Sequence, residues 1–303
     1  MRNDRLPGKA RRNRSHPRVT ENVPVVQIAL LIVAILAVVS ALTIFWIKSR
    51  RERVQLDEGG TLCPEVKDGK SQIPEVLVIL LDSSDRLGDA QSIQVRHDLE
   101  RARSRLAKFG RLDVYALRDA GGVLAAPVLT ICNPGDGNDL SEITANPELA
   151  RKRWKEEFAS RVDRVLKTGI EAVEAPTSPI LEAIQAAGIQ TFDLPELDSV
   201  RNRRVIVVSD LLQNVPGKMS HYEEVPEFKE FSSSAYYEEV RVPLEDVKVE
   251  VLYLARTRAS GIQGLRHIEF WEAYFRSLGA ELEQVTRVSG APPVEEREGR
   301  RKG

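Results

Sequence analysis

The stretch Glu75-Val76-Leu77-Val78-Ile79-Leu80-Leu81-Asp82-Ser83-Ser84-Asp85 decides the fold. From Val76 to Leu81 every side chain is aliphatic, so no face is left for water. Successive residues of a strand point to opposite faces, and a run without alternation therefore predicts a strand covered on both sides. That is the position of a central strand in a parallel sheet with helices above and below. Asp82 to Asp85 then ends the strand in a polar turn.

Outward from this strand the pattern repeats. Ile93, Val95, Leu99, Ala102, Leu106 and Phe109 recur at helical spacing across Ala90 to Phe109, and strands are expected at Leu112–Leu117 and Val128–Ile131. Pro147–Leu166 reads as an amphipathic helix with Trp154, Phe158, Val162 and Leu166 on one stripe, and Pro179–Ala187 as a shorter one. Arg204–Ser209 and Val247–Leu254 are further buried strands, Ile262–Leu278 is a long helix, and Leu282–Val288 is a closing strand. Buried strands alternating with helices predict an α/β fold with a doubly wound, mostly parallel sheet over 74–288.

Upstream lies a second apolar run, Val25 to Ile47, in which only Gln27, Ser40 and Thr43 are polar. At 1.5 Å per residue it reaches roughly 34 Å, against about 30 Å of bilayer hydrocarbon. Arg2, Arg5, Lys9, Arg11, Arg12, Arg14 and Arg18 precede it, and Lys48, Arg50, Arg51 and Arg53 follow. Seven cations against four predict a cytoplasmic N-terminus and an exported remainder. A cleaved signal peptide is the rival reading, but it needs an apolar core of about 7–15 residues and a small-residue exit. This run is longer and leaves through Ile44-Phe45-Trp46-Ile47-Lys48. The expected organisation is a basic disordered arm at 1–22, a single transmembrane helix at 23–48, a linker at 49–73, the globular domain at 74–288 and a disordered tail at 289–303. The chain is thereby expected in the inner (plasma) membrane with its C-terminal domain periplasmic, touching lipid through the anchor.

Two cysteines, Cys63 and Cys132, both follow the anchor. On an exported domain such a pair is expected to oxidise, and the loop it closes is worth about 4–5 kcal/mol in the chain-entropy model. Two separate buried thiols are the alternative. Their separation, with no histidine near, argues against zinc. Lys and Arg number 44 against 45 Asp and Glu, with no basic stripe carrying aromatics, which speaks against a nucleic-acid partner. No phosphate-binding glycine loop or serine nucleophile elbow is present.

Polar groups gather where strands end. The first strand runs into Asp82-Ser83-Ser84-Asp85 and the strand at Val205 into Ser209-Asp210, while Thr177-Ser178-Pro179-Ile180 opens a helix. In a doubly wound sheet ligands bind at the carboxyl ends of strands. The order strand-Asp-x-Ser, Thr/Ser-Pro-hydrophobic, strand-Ser/Thr-Asp resembles the von Willebrand factor type A domain over about Pro74 to Val288. That resemblance implies a metal-ion-dependent adhesion site in which Asp82, Ser84, Ser178 and Asp210 are ligands. It also implies Mg²⁺ as the ion and a protein as the partner. Hard cations take oxygen ligands, and a site with few direct negative ligands keeps a position for a partner carboxylate.

The chain departs from that pattern in two places. Arg86 stands where a second serine is usual and has no lone pair for a metal, with Asp85 beside it either supplying an oxygen or pairing with Arg86. Leu211 replaces the usual glycine after the third-loop aspartate. Plainer roles stand beside these: Ser178 as a helix cap ahead of Pro179, Ser83 or Ser84 as a cap after the first strand, and Asp82 as an acceptor for loop amides. His267 reads as a packed helix-face histidine. Gly135-Asp136-Gly137-Asn138-Asp139 reads as a turn-rich insertion, although its composition is calcium-loop-like. The aromatic segment Gln213–Tyr237 is either part of a binding face or the packing of a short helix. The expected function is a non-enzymatic interaction module. The alternative is a metal-dependent hydrolase or phosphotransferase using Asp82, which is disfavoured because Ser84 stands where a second acid would be needed.

Overall fold

The computed structural model describes residues 25–51, 60–65, 71–82, 84–117, 125–140, 146–170 and 175–289. It divides into two units, Met1–Arg53 and Val54–Gly303. The arm before Val25, Ser83 and the tail after 289 lie outside the described residues, as do parts of the linker.

The described residues of the first unit form α1 (Val25–Arg51). Its described side chains, 28–44, are exposed along their whole length, including Leu30, Leu31, Val33 and Ile44. The apolar run read from the sequence continues past them at both ends. Among the described residues no helix is long and apolar enough to cross a membrane.

The second unit is a mixed α/β body. Its strands are β1 (Glu75–Asp82), β2 (Arg111–Leu117), β3 (Leu129–Cys132), β4 (Asn202–Ser209), β5 (Asn214–Val215), β6 (Met219–Ser220), β7 (Val247–Leu254) and β8 (Glu281–Val288). Its helices are α2 (Asp89–Arg105), α3 (Pro147–Arg153), α4 (Ser160–Ile170), α5 (Ile180–Ala187), α6 (Phe228–Phe231), α7 (Ala235–Val240) and α8 (Leu265–Ser277). Six strands form one sheet in the order β3-β2-β1-β4-β7-β8, and β5 and β6 form a small separate hairpin. Every neighbour pair in the large sheet is parallel except β2–β3. The expected doubly wound, mostly parallel sheet is present, with β3 as an antiparallel edge.

The unbroken apolar run of β1 is explained by its place. All eight residues are buried, and alternate side chains enter two different cores. Val76, Val78 and Leu80 pack with α5, α7 and α8, whereas Leu77, Ile79 and Leu81 pack with α2 and α4. Each such side chain contributes about 1.5–3 kcal/mol by leaving water. Two π-helical turns interrupt the helical layers, Trp154–Ala159 between α3 and α4 and Gly188–Phe192 after α5. At Gly188 a Cβ would lie 2.5 Å from Val242 Cγ2, so only glycine allows this close approach.

Cys63 and Cys132 form a disulfide. Cys132 N–H also donates to the Thr61 carbonyl at 2.8 Å, and Leu62 is buried in the α2/α4-side core. Residues 60–65, read as linker, are thus bound to the edge of the sheet at β3. The insertion 135–139 is held by Lys108 on Asp139 and by Asp136 accepting from Asn138, and has no convergent ligand set.

Candidate functional site

Chain direction fixes where a site can form. From β1 the sheet is laid outward to β2 and β3 on one side, then to β4, β7 and β8 on the other. The order reverses between β1 and β4, whose carboxyl ends lie side by side, and a crevice forms at such a switch point. Asp82 ends β1, and Ser209-Asp210 ends β4.

Asp82 is 3% exposed and fully engaged. Its Oδ1 accepts from Ser84 N–H at 3.0 Å. Its Oδ2 accepts from the Ser209 hydroxyl at 2.6 Å and the Ser178 hydroxyl at 3.2 Å. One carboxylate therefore ties three segments together. Ser178 is brought there because its backbone pairs with Asn214 in both directions, at 2.9 and 3.0 Å, just past the third loop. Its hydroxyl does not cap α5: the cap position is Pro179, with no side-chain hydrogen bond. Nor does Ser84 cap α2, whose N-cap is Gly88, its N–H donating to Gln91 Oε1 at 3.3 Å. The acceptor role considered for Asp82 is the one observed.

Asp210 is 1% exposed. Its Oδ1 accepts from Leu212 N–H at 3.0 Å and its Oδ2 from Arg256 Nε at 2.8 Å. Burial, and then the charge of Asp82, push its carboxyl up to about 6, while Arg256 and the Leu212 amide hold it down. Arg256 also donates from Nη1 to the Arg86 carbonyl at 2.9 Å and from Nη2 to the Asp85 carbonyl at 3.2 Å. Asp85 Oδ2 lies 3.9 Å from Arg256 Nε, so the acid faces Arg256.

Leu211 follows with φ of 59°, the left-handed region that a glycine enters freely. The backbone shape expected of glycine is kept with leucine in it. Surrounding donors hold it there: its carbonyl accepts from Trp271 Nε1 at 3.0 Å and lies 3.0 Å from His267 Nε2. His221 Nδ1 is 3.2 Å from the same oxygen and 3.0 Å from His267 Nε2, and the Tyr253 hydroxyl is 2.7 Å from His267 Nδ1. Burial lowers His221 to about 3 and His267 to about 4, so both rings are neutral at neutral pH. His267 does pack on its helix face as read, but it pairs with a histidine distant in sequence.

Phe231 and Tyr236 of the aromatic segment are buried with α8, while Tyr222 stays half exposed. The Tyr222 hydroxyl is pushed up to about 12, by burial first and then by Asp210 and Asp85, and its neighbour His221 is tied to the third loop by donating its N–H to the Gln213 carbonyl at 2.9 Å. Three residues that matter were not in the sequence-based set: Arg256, Gln263 and the buried His221. Ser209 was named at its strand end, without its bond to Asp82. Arg256 carried a readable signal, since it follows a buried strand's carboxyl end by two residues.

The donor set as arranged does not fit a divalent cation. A guanidinium already lies on Asp210 Oδ2, at 2.8 Å, and repels a second cation, while the hydroxyls of Ser178 and Ser209 donate to Asp82. Among the described residues no group of three or more His, Cys, Asp or Glu is placed to hold a metal.

No family model matches the chain, and no curated protein matches it. Among solved structures, it is similar to a conserved hypothetical protein BatB from Bacteroides thetaiotaomicron, at 12% identity and a TM-score of 0.35. The match covers 72% of this chain and 91% of that one. The fold assignment rests on strand order and layering.

Proposed function

We propose that the chain is a membrane-anchored interaction module of the von Willebrand factor type A kind. It captures a protein partner at the strand-end face built around Asp82, Ser84, Ser178 and Asp210. The observation that carries this reading is the convergence of three loops on Asp82 at the switch point between β1 and β4. An Asp82 buried to 3% and accepting three hydrogen bonds is built to shape a surface, and poorly placed to attack a substrate.

The anchor is α1, which contains the whole apolar run Val25 to Ile47, and the basic arm sets a cytoplasmic N-terminus. The domain then lies outside the cytoplasm, in keeping with the Cys63–Cys132 disulfide, because such bonds persist in oxidising compartments. Tyr222 and Asp85, exposed at the face, are the side chains a partner meets first.

The test is co-purification of the full chain from membranes in mild detergent, comparing wild type with Tyr222→Ala and Glu245→Ala. Glu245 is exposed just before β7, at the opposite end of the sheet. Loss of a stoichiometric partner in Tyr222→Ala alone is expected. Equal loss in both variants, or phosphoester turnover that depends on Asp82, would overturn the reading.

A further inference from the structure

Between the first and third loops the chain supplies a positive charge of its own. Arg256 joins Asp210 Oδ2 to the carbonyls of Arg86 and Asp85 through Nε, Nη1 and Nη2. Its placement is imposed from beneath. Arg256 N–H donates to Gln263 Oε1 at 2.7 Å, and Gln263 Nε2 donates to the Leu254 carbonyl at 2.9 Å and to the Asp210 carbonyl at 3.1 Å. Gln263 is 3% exposed, so one buried amide fixes both the arginine and the loop that bears its carboxylate. The side chains of the pair are 12% and 2% exposed, which removes them from the class of weak surface ion pairs.

We propose that Arg256 is the permanent cation of this site, standing where the resemblance implies a divalent metal, and that the strand-end face works without one. Two buried carboxylates, Asp82 and Asp210, need a positive neighbour, and the guanidinium supplies it in a fork that also ties down the first loop. A guanidinium offers no lone pair and repels a second cation, so arginine and metal exclude each other. Arginine keeps its charge at every working pH, and the site is therefore filled whatever the ionic conditions. A partner meets the exposed Arg86 and the half-exposed Asp85 in place of an open metal coordination position. That last step alone rests on the strand ends being the binding face.

The experiment is Mn²⁺ binding to the full chain in detergent micelles, read from the free-ion electron paramagnetic resonance signal. Wild type, Asp210→Asn and Arg256→Ser are compared, with circular dichroism as the check on folding. Wild type and Asp210→Asn are expected to give the same signal. Arg256→Ser should bind Mn²⁺ at least about tenfold more tightly, its carboxylates having lost their internal counter-charge. Wild-type binding that Asp210→Asn abolishes would overturn the proposal, and so would a folded Arg256→Ser that gains nothing. If Arg256→Ser does not fold, the comparison of wild type with Asp210→Asn still decides. Failure of partner capture would leave these signals unchanged, so the two readings fail separately.

Discussion

At the scale of single residues, the site is a set of buried titratable groups whose pH responses have opposite signs. Asp210 is raised from 3.8 to about 6 in the folded chain. The folded state therefore holds more protons than the unfolded state across that window, and this residue lowers stability as pH rises through it. His221 and His267 are lowered from 6.5 to about 3 and about 4. Their contribution is whole above pH 6.5 and is lost as pH falls toward those values. We expect Asp210→Asn to remove the first trend and His267→Gln to flatten the second, by on the order of 3 kcal/mol over the window. Urea denaturation at a series of pH values checks both. Arg256→Gln should cost about 1–3 kcal/mol at neutral pH, because Asp210 loses its counter-charge and takes up a proton while the Arg86 and Asp85 carbonyls lose their donor. An effect below 1 kcal/mol in the same urea series would mean that the pair is no more than a surface contact.

At the scale of elements, the buried strands were legible and the cross-chain polar ties were not. Val76–Leu81 announces a doubly covered strand because burial on both faces removes every polar residue, and β7 was read at its observed bounds. The sequence-based helix at Pro147–Leu166 is broken by a π-helical turn at Trp154–Ala159 and continues to Ile170, which apolar spacing alone does not reveal. Asp82, Ser84, Ser178 and Asp210 were read from their order along the chain. The place of Arg256 just past a buried strand was readable, but its carboxylate 46 residues away was not, and Gln263 had no local signal at all for a partner 53 residues away. The second π-helical turn makes a separate prediction. Gly188→Ala drives a Cβ into Val242 and should cost about 1–3 kcal/mol despite the better helix propensity of alanine, as thermal denaturation would register.

At the scale of the whole molecule, the disulfide fastens residues 60–65, which follow α1 in the chain, to the edge strand β3. Replacing both Cys63 and Cys132 by serine should lower stability by about 4 kcal/mol, measured by denaturation with and without reductant. Reductant should have no effect on the double variant. A wild-type chain whose unfolding is indifferent to reductant would mean that the bond does not form in the native protein.

The central claim is that partners are met at the carboxyl ends of β1 and β4. Its most direct test is site-specific photo-crosslinking of the full chain in native membranes, with the reactive residue at position 222 and, separately, at position 245. The account predicts a discrete heterologous adduct from position 222 and none from position 245. Adducts of the same size from both positions, or from position 245 alone, would contradict it.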